Sequence, residues 1–332
     1  MNFIAAFESG KSHTEAIRLK DEGNKFFVKG KFSNSLKKYD SAIELADDQK
    51  TFSVLLGNRS AAFYNLKKYQ MCLDDIEVAF ENNCSETLEL KLLERRAKCV
   101  YNLCDKDKFV GQIEKINNTN FNDPVLLEKK KKLLTELQEL NESMKTNRSS
   151  IISNKQEQLT KLEKRNKYFD GFSDVVEMRS SETRGRYMVA TENIPVGEVI
   201  GAEKPICSVL AAHKAGTQCS ECLGMLPDDY FLPCLGCREA RFCCPSCWRA
   251  GSAAGARSPH SLECGLRADL GPILKEVKGG DAVPEYHRLC LRLLGRMTVE
   301  EVVELERRVR EGISGTERQR EADINSLFNL VG

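Results

Sequence analysis

The chain has 332 residues, too many for one small core and suited to two or three domains. Its 50 basic residues nearly balance 49 acidic ones, so no global field marks it for nucleic acid or a membrane surface. Nowhere do about eighteen apolar residues run together, which leaves no candidate for a bilayer-spanning helix.

The opening stretch, MNFIAAFESGKSHTEAIRLK, lacks the basic leader, long apolar core and small-residue cleavage site of a signal peptide. A soluble intracellular chain, cytoplasmic and nuclear, is therefore expected. Residues 1–122 repeat. RSAAFYNL (59–66) is echoed by RAKCVYNL (96–103) thirty-seven residues later, and one step back lands on Gly23 in EGNKFFVKGKF. Each unit places small residues where two helices would cross and aromatics further on: Gly23, Phe26, Phe32, Tyr39 and Ala42, then Ser60, Phe63, Tyr69 and Ala79, then Ala97 and Tyr101. This resembles the tetratricopeptide repeat, a helix pair of about 34 residues that buries its faces only by stacking on neighbours. The resemblance implies an α-helical array with a concave surface for peptides.

Residues 123–167 are polar, helix-favouring and free of glycine, with Pro124 suited to a first helical turn. They read as a helical linker closing the array, and Lys129 to Lys132 as its solvated face. At 168–215 the texture changes to short β-branched and aromatic runs broken by Arg-Gly, Pro-Val-Gly and Lys-Pro turn signals, which predicts three or four short strands.

Residues 216–266 hold four pairs of soft ligands: Cys219 and Cys222, Cys234 and Cys237, Cys243 and Cys247, His260 and Cys264. Spacings of two or three residues let both members of a pair reach one ion. Seven sulfurs and one imidazole satisfy two tetrahedral Zn²⁺ ions, and closed four-ligand shells are structural. In a reducing compartment a disulfide framework is not expected. Spacing alone allows three ways of sharing the pairs between two ions. Cys244, which also makes a two-residue spacing with Cys247, and Cys72, Cys84, Cys99, Cys104, Cys207 and Cys290 read as small buried hydrophobes. His13, His213 and His287 lack metal-ligand neighbours. Residues 267–332 turn helical again through ILKEV, YHRLCLRLLGRM and VEEVVELERRVREG and end on SLFNLVG.

The order of pairs, ending in His-x3-Cys, resembles the MYND zinc finger. That resemblance selects Cys243, which follows Phe242, as the ligand, and implies an interleaved sharing. Cys219, Cys222, Cys243 and Cys247 would hold one ion and Cys234, Cys237, His260 and Cys264 the other. Together with the strands reading RGRYMVATENIPVGEVIGAEKP before it, the finger resembles the SET and MYND domain methyltransferases, whose finger interrupts a split SET domain. The implied architecture is multidomain α+β: tetratricopeptide array, the β-rich N-terminal part of a SET domain with an inserted two-zinc MYND finger, then helices. The implied activity is S-adenosylmethionine-dependent protein-lysine N-methylation, with Arg184, Gly185 and Arg186 contacting the cofactor and with repeats and finger recruiting protein substrates. The family's Asn-His segment, tyrosine and late cysteine cluster are not found, so no catalytic residue is named. The chain is expected to be an inactive fragment of such an enzyme. The alternative is a non-catalytic adaptor that binds peptides through repeats and finger. No nucleic-acid or membrane partner is expected.

Overall fold

The structure is a computed structural model that describes residues 10–144, 162, 164–168, 171–202, 205 and 207–252, and beyond them positions 260, 264, 289, 290, 292, 293, 298–301, 303, 304 and 307. The chain forms two compact units, one made of Met1–Ile151 with Val209–Arg296 and the other of Ile152–Ser208 with Met297–Gly332.

The first unit begins with three helix pairs: α1 (His13–Val28) with α2 (Phe32–Leu45), α3 (Gln49–Asn65) with α4 (Tyr69–Phe80), and α5 (Glu86–Asn102) with α6 (Lys106–Asn118). Short polar side chains start several of them. Ser12, Asp48 and Asp105 accept from the backbone N–H groups of Glu15, Thr51 and Lys108, occupying donors that a first turn leaves free. Each pair turns through one residue in the left-handed region: Gly30 (φ 68°), Lys67 (φ 59°) and Cys104 (φ 58°). These three positions keep the thirty-seven-residue period of the repeated octapeptides. Only the first is glycine, so the tight turn rather than residue type is what repeats. Small residues sit at the crossings as the pattern predicts. A Cβ on Gly23 would come within 2.5 Å of the Tyr39 ring, so α1 and α2 approach there closely enough to exclude any side chain.

α7 (Pro124–Met144) closes the array. Its Leu126, Leu133 and Leu137 bury against Leu93, Ala97, Phe109 and Ile116 of α5 and α6, forming a core of their own. Lys129, Lys131 and Lys132 are exposed, but Lys130 departs from the solvated-face reading. Its ammonium donates to the carbonyls of Asn117 and Thr119, both at 2.7 Å, closing the C-terminus of α6.

In the second unit β1 (Val176–Ser181) pairs antiparallel with β2 (Gly185–Ala190), in a register that sets Ser181 opposite Gly185. Where three or four strands are expected, the described residues form these two and one bridge between Phe172 and Gly201. Pro195 and Gly197 (φ 90°) interrupt the run between them and leave Val196 fully exposed. The helical expectation for 267–332 lies largely outside the described residues, and SLFNLVG wholly so. Thr298 and Glu301 exchange side-chain-to-backbone hydrogen bonds at 2.7 and 3.2 Å, a capping box that opens a helical stretch.

Returning to the first unit, the chain adds β3 (Leu232–Pro233) paired with β4 (Arg241–Phe242), and α8 (Pro245–Gly251). These small elements carry the cysteines.

Candidate metal centre

Two tight turns present the first ligands. Leu223 adopts a left-handed conformation (φ 61°), and its N–H donates to the Cys219 carbonyl at 3.0 Å, folding Cys219 and Cys222 toward one point. Cys234 donates its N–H to Ala240 at 3.0 Å, and its sulfur accepts from the Gly236 N–H at 3.2 Å. Such N–H···S bonds favour the thiolate that a cation requires. β4 and α8 then bring Cys243 and Cys247 alongside the first turn.

The structure gathers Cys219, Cys222, Cys243 and Cys247 into one group and Cys234, Cys237, His260 and Cys264 into a second, with the donor atoms of each group all within 4.8 Å of one another. The separation of Cys222 and Cys243 sulfurs is 3.6 Å, of Cys243 and Cys247 3.7 Å, and of Cys234 and Cys264 3.7 Å. The Cys237 sulfur lies 3.3 Å from His260 Nε2. Zn–S bonds of about 2.3 Å at tetrahedral angles place sulfurs about 3.8 Å apart, so both donor sets fit one Zn²⁺ each. Hydrogen bonds from Cys243 and Cys247 drive the Cys219 thiol far below its ordinary range, and those from Cys237 and Cys264 do the same for Cys234. Their neighbours Cys243, Cys247 and Cys264 are driven up, because crowded sulfurs cannot all ionise alone. A bound dication relieves that conflict.

Cys244 stands outside the four-sulfur group. It precedes the first turn of α8 and its sulfur lies 3.0 Å from the Ser246 hydroxyl. Of the other cysteines, Cys72 and Cys99 are fully buried, whereas Cys104 and Cys290 are exposed, against the expectation of burial. Cys104 is exposed because it occupies the left-handed turn after α5.

The segment that carries both donor groups, referred to as the finger for its ligand spacing, packs onto the repeats. Trp248 donates Nε1–H to the Pro233 carbonyl at 3.0 Å and lays its ring over Phe52 of α3. Arg59 of α3, fully buried, holds Asp75 of α4 through two hydrogen bonds of 2.9 and 2.6 Å and Asp40 of α2 through a third of 2.8 Å. It also donates to the Phe231 carbonyl of the finger at 3.0 Å. Its guanidinium lies over the Tyr230 ring at 5.0 Å. Around this centre, Arg241 pairs with Glu44 and Lys68 with Asp229, both at 2.5 Å, while Arg249 reaches Glu77 and Glu81 of α4. From the start of the array Lys11 donates to the Cys234 carbonyl at 2.7 Å, bringing a cation beside the second donor group. Sequence reading missed Arg59 and Lys11. An arginine inside an octapeptide otherwise rich in small and apolar residues is the signal that could have singled out Arg59.

Arg184, Gly185 and Arg186 lie at the tip of the β1–β2 hairpin, all exposed. Gly185 has φ 63°, and a Cβ there would meet nothing within 4 Å. Its role in the described structure is thus the left-handed turn; no neighbour presses close to it.

Comparison with curated proteins gives a chicken protein-lysine N-methyltransferase SMYD4, 25% identical over 291 residues, or 79% of this chain. The zebrafish SMYD4 is 26% identical over 278 residues, 80% of this chain. The chain resembles SMYD4. It spans 38% of the chicken SMYD4 and 31% of the zebrafish one. An unc-45 homolog B from Xenopus laevis is 27% identical over 125 residues, 38% of this chain and 13% of its own length. Among solved structures, the first tetratricopeptide domain of Spaghetti (RPAP3) bound to an HSP90 peptide covers 39% of this chain and 97% of its own, at 23% identity and a TM-score of 0.31. No family model matches.

Proposed function

We propose that this chain belongs to an S-adenosylmethionine-dependent protein-lysine N-methyltransferase and serves it as a recruiting and bracing module. The observation carrying this reading is the similarity to SMYD4 methyltransferases across 79% and 80% of the chain. The zinc ions, held by Cys219, Cys222, Cys243 and Cys247 and by Cys234, Cys237, His260 and Cys264, are structural in this reading. Each donor set is complete at four and leaves no position for a reacting water.

S-adenosylmethionine would supply an electrophilic methyl on a sulfonium. The Arg184–Arg186 hairpin tip is the proposed contact, its exposed backbone at Gly185 being open to close approach. No general base is assigned among the described residues. What the chain's own residues do is bind and position: the repeats hold a protein segment, and the finger, fixed through Arg59 and Trp248, stiffens the repeats that hold it. Its thiolate ligands suit the reducing cytoplasm and nucleus.

Titration of the zinc-loaded chain with S-adenosylmethionine by calorimetry, with a methyl-transfer assay on lysine-containing proteins, tests the reading. Saturable binding that weakens when Arg184 and Arg186 become alanine is expected. Absence of binding by the chain leaves the second reading, a peptide-binding adaptor. That reading is favoured by Asn24 of α1, Asn58 of α3 and Arg95 and Lys98 of α5, whose described polar contacts are made within the array and not to the finger.

A further inference from the structure

The turns that join α1 to α2, α3 to α4 and α5 to α6 are held rigidly and in register. Phe27 meets Phe32 edge to face at 5.2 Å under the first, Tyr64 meets Tyr69 at 5.8 Å under the second, and Tyr101 meets Phe109 at 5.5 Å under the third. The backbone closes each turn as well: Gly30 donates to the Phe27 carbonyl at 2.9 Å, and Lys67 and Cys104 donate to Tyr64 and Tyr101, both at 3.0 Å. Across the array Asn58 of α3 bonds Asn24 of α1, and Arg95 of α5 bonds Ser60 of α3, partners 34 and 35 residues apart. Helices that meet about one repeat apart run parallel, so their C-terminal turns line one edge of the array. That edge is basic. Lys25, Lys29, Lys31, Lys67 and Lys106 are exposed there, and among the described residues none of these five makes an ion pair. Lys68 and Lys108 are taken by Asp229 at 2.5 Å and Asp105 at 2.8 Å, which leaves Asp107 and Asp228 as the exposed carboxylates beside the turns. Val28 is 86% exposed and Leu103 46%, so the first and third turns each hold an apolar side chain out to solvent. The near balance of charge over the whole chain conceals this local excess.

We propose that this edge docks on an anionic phospholipid bilayer, with the lysines over the headgroups and Val28 and Leu103 entering the boundary with the acyl chains. Each lysine near such a surface strengthens binding by about fivefold, so the unpaired set supplies enough attraction for a reversible, peripheral contact. Two features favour lipid over nucleic acid. The turns carry lysine and no arginine, and a compact ammonium suits a diffuse layer of headgroups where a planar guanidinium fork suits one defined phosphate. Their aromatic rings, moreover, are buried or half-buried against one another, so none is presented for a base to stack on. The inference stands apart from methyl transfer and from any peptide held by the repeats.

The test is flotation of the full zinc-loaded chain with vesicles of phosphatidylcholine, alone or mixed with phosphatidylserine. Binding to the mixed vesicles is expected to be at least about tenfold tighter than to phosphatidylcholine, and to fall as salt is raised. Lys29→Glu combined with Lys31→Glu should weaken it by at least about tenfold, and Val28→Ser by about threefold. Lys132→Glu, on an exposed lysine midway along α7, should leave it unchanged. Helical circular dichroism and zinc content of each variant should match the wild type, so that weakening reports on the edge and not on unfolding. Equal binding to both kinds of vesicle, wild-type affinity in the double lysine variant, equal weakening by Lys132→Glu, or tighter binding to a single-stranded oligonucleotide than to the mixed vesicles would each overturn the proposal.

Discussion

Trp248 of the finger stacks on Phe52 of α3, with ring centroids 6.1 Å apart and planes 17° from parallel. Both rings are essentially excluded from water, so repeat and finger share one apolar core. Trp248→Ala should cost about 3–5 kcal/mol, the usual penalty for emptying a large aromatic site. Urea unfolding followed by helical circular dichroism and by zinc release should give coincident transitions in the wild type and earlier ones in the variant. Two well-separated wild-type transitions would show that the modules fold independently.

Arg59 makes a second prediction. A buried guanidinium between Asp75 and Asp40 leaves both carboxylates stranded when it is removed, so Arg59→Leu should destabilise by about 3–5 kcal/mol. Adding Asp75→Leu should recover part of that loss, since one orphaned charge goes with it. Chemical denaturation of the single and double variants decides it. A double variant less stable than Arg59→Leu would mean that Asp75 does more than answer Arg59.

The metal assignment gives a third. Cys234→Ser should leave one zinc equivalent per chain and Cys244→Ser two, as read by atomic absorption on the purified variants. A chain whose Cys244→Ser form loses zinc would exchange the roles of Cys243 and Cys244. Stripping both ions should abolish the finger's fold, because metal binding in such sites contributes about 10–16 kcal/mol of apparent free energy.

Asp74 offers a pH test. Burial pushes its carboxyl up to about 6 from 3.8, despite a hydrogen bond from Gln70. The folded state therefore resists the charged form. The stability linked to this group is whole below pH 3.8 and is lost as pH rises to about 6. Asp74→Asn should raise stability by about 1 kcal/mol at pH 7.5, reduced from the full shift because the side chain is partly solvated. The gain should shrink as pH approaches 4. Thermal melts of both proteins across that range measure it, and a gain independent of pH would point to a cause other than ionisation.

The repeats were legible because their spacing is dictated locally. A residue that must be small where Tyr39 crosses Gly23 recurs at Ser60 and Ala97, and the period survives into the left-handed turns at Gly30, Lys67 and Cys104. The two four-donor groups were legible because a tight turn can close only over short spacings. The union of finger and repeats was not. Arg59 sits inside a repeated octapeptide, yet its partner Phe231 lies 172 residues further on, and local periodicity carries no information about so distant a contact. Nor did the strand count follow from composition: the β-branched run after the Pro-Val-Gly turn predicted a further strand, and among the described residues it makes only the bridge between Phe172 and Gly201.

The bond from Lys11 to the Cys234 carbonyl joins positions 223 residues apart. On a ribosome, which delivers the N-terminus first, α1 to α4 are complete long before Tyr230 and Trp248 have been made. During that interval Phe52 lacks the Trp248 ring and Phe63 the Tyr230 ring, so part of the array's apolar surface meets water. Newly made protein in zinc-starved cells should accordingly aggregate through its repeats, although neither four-donor cysteine group lies within them.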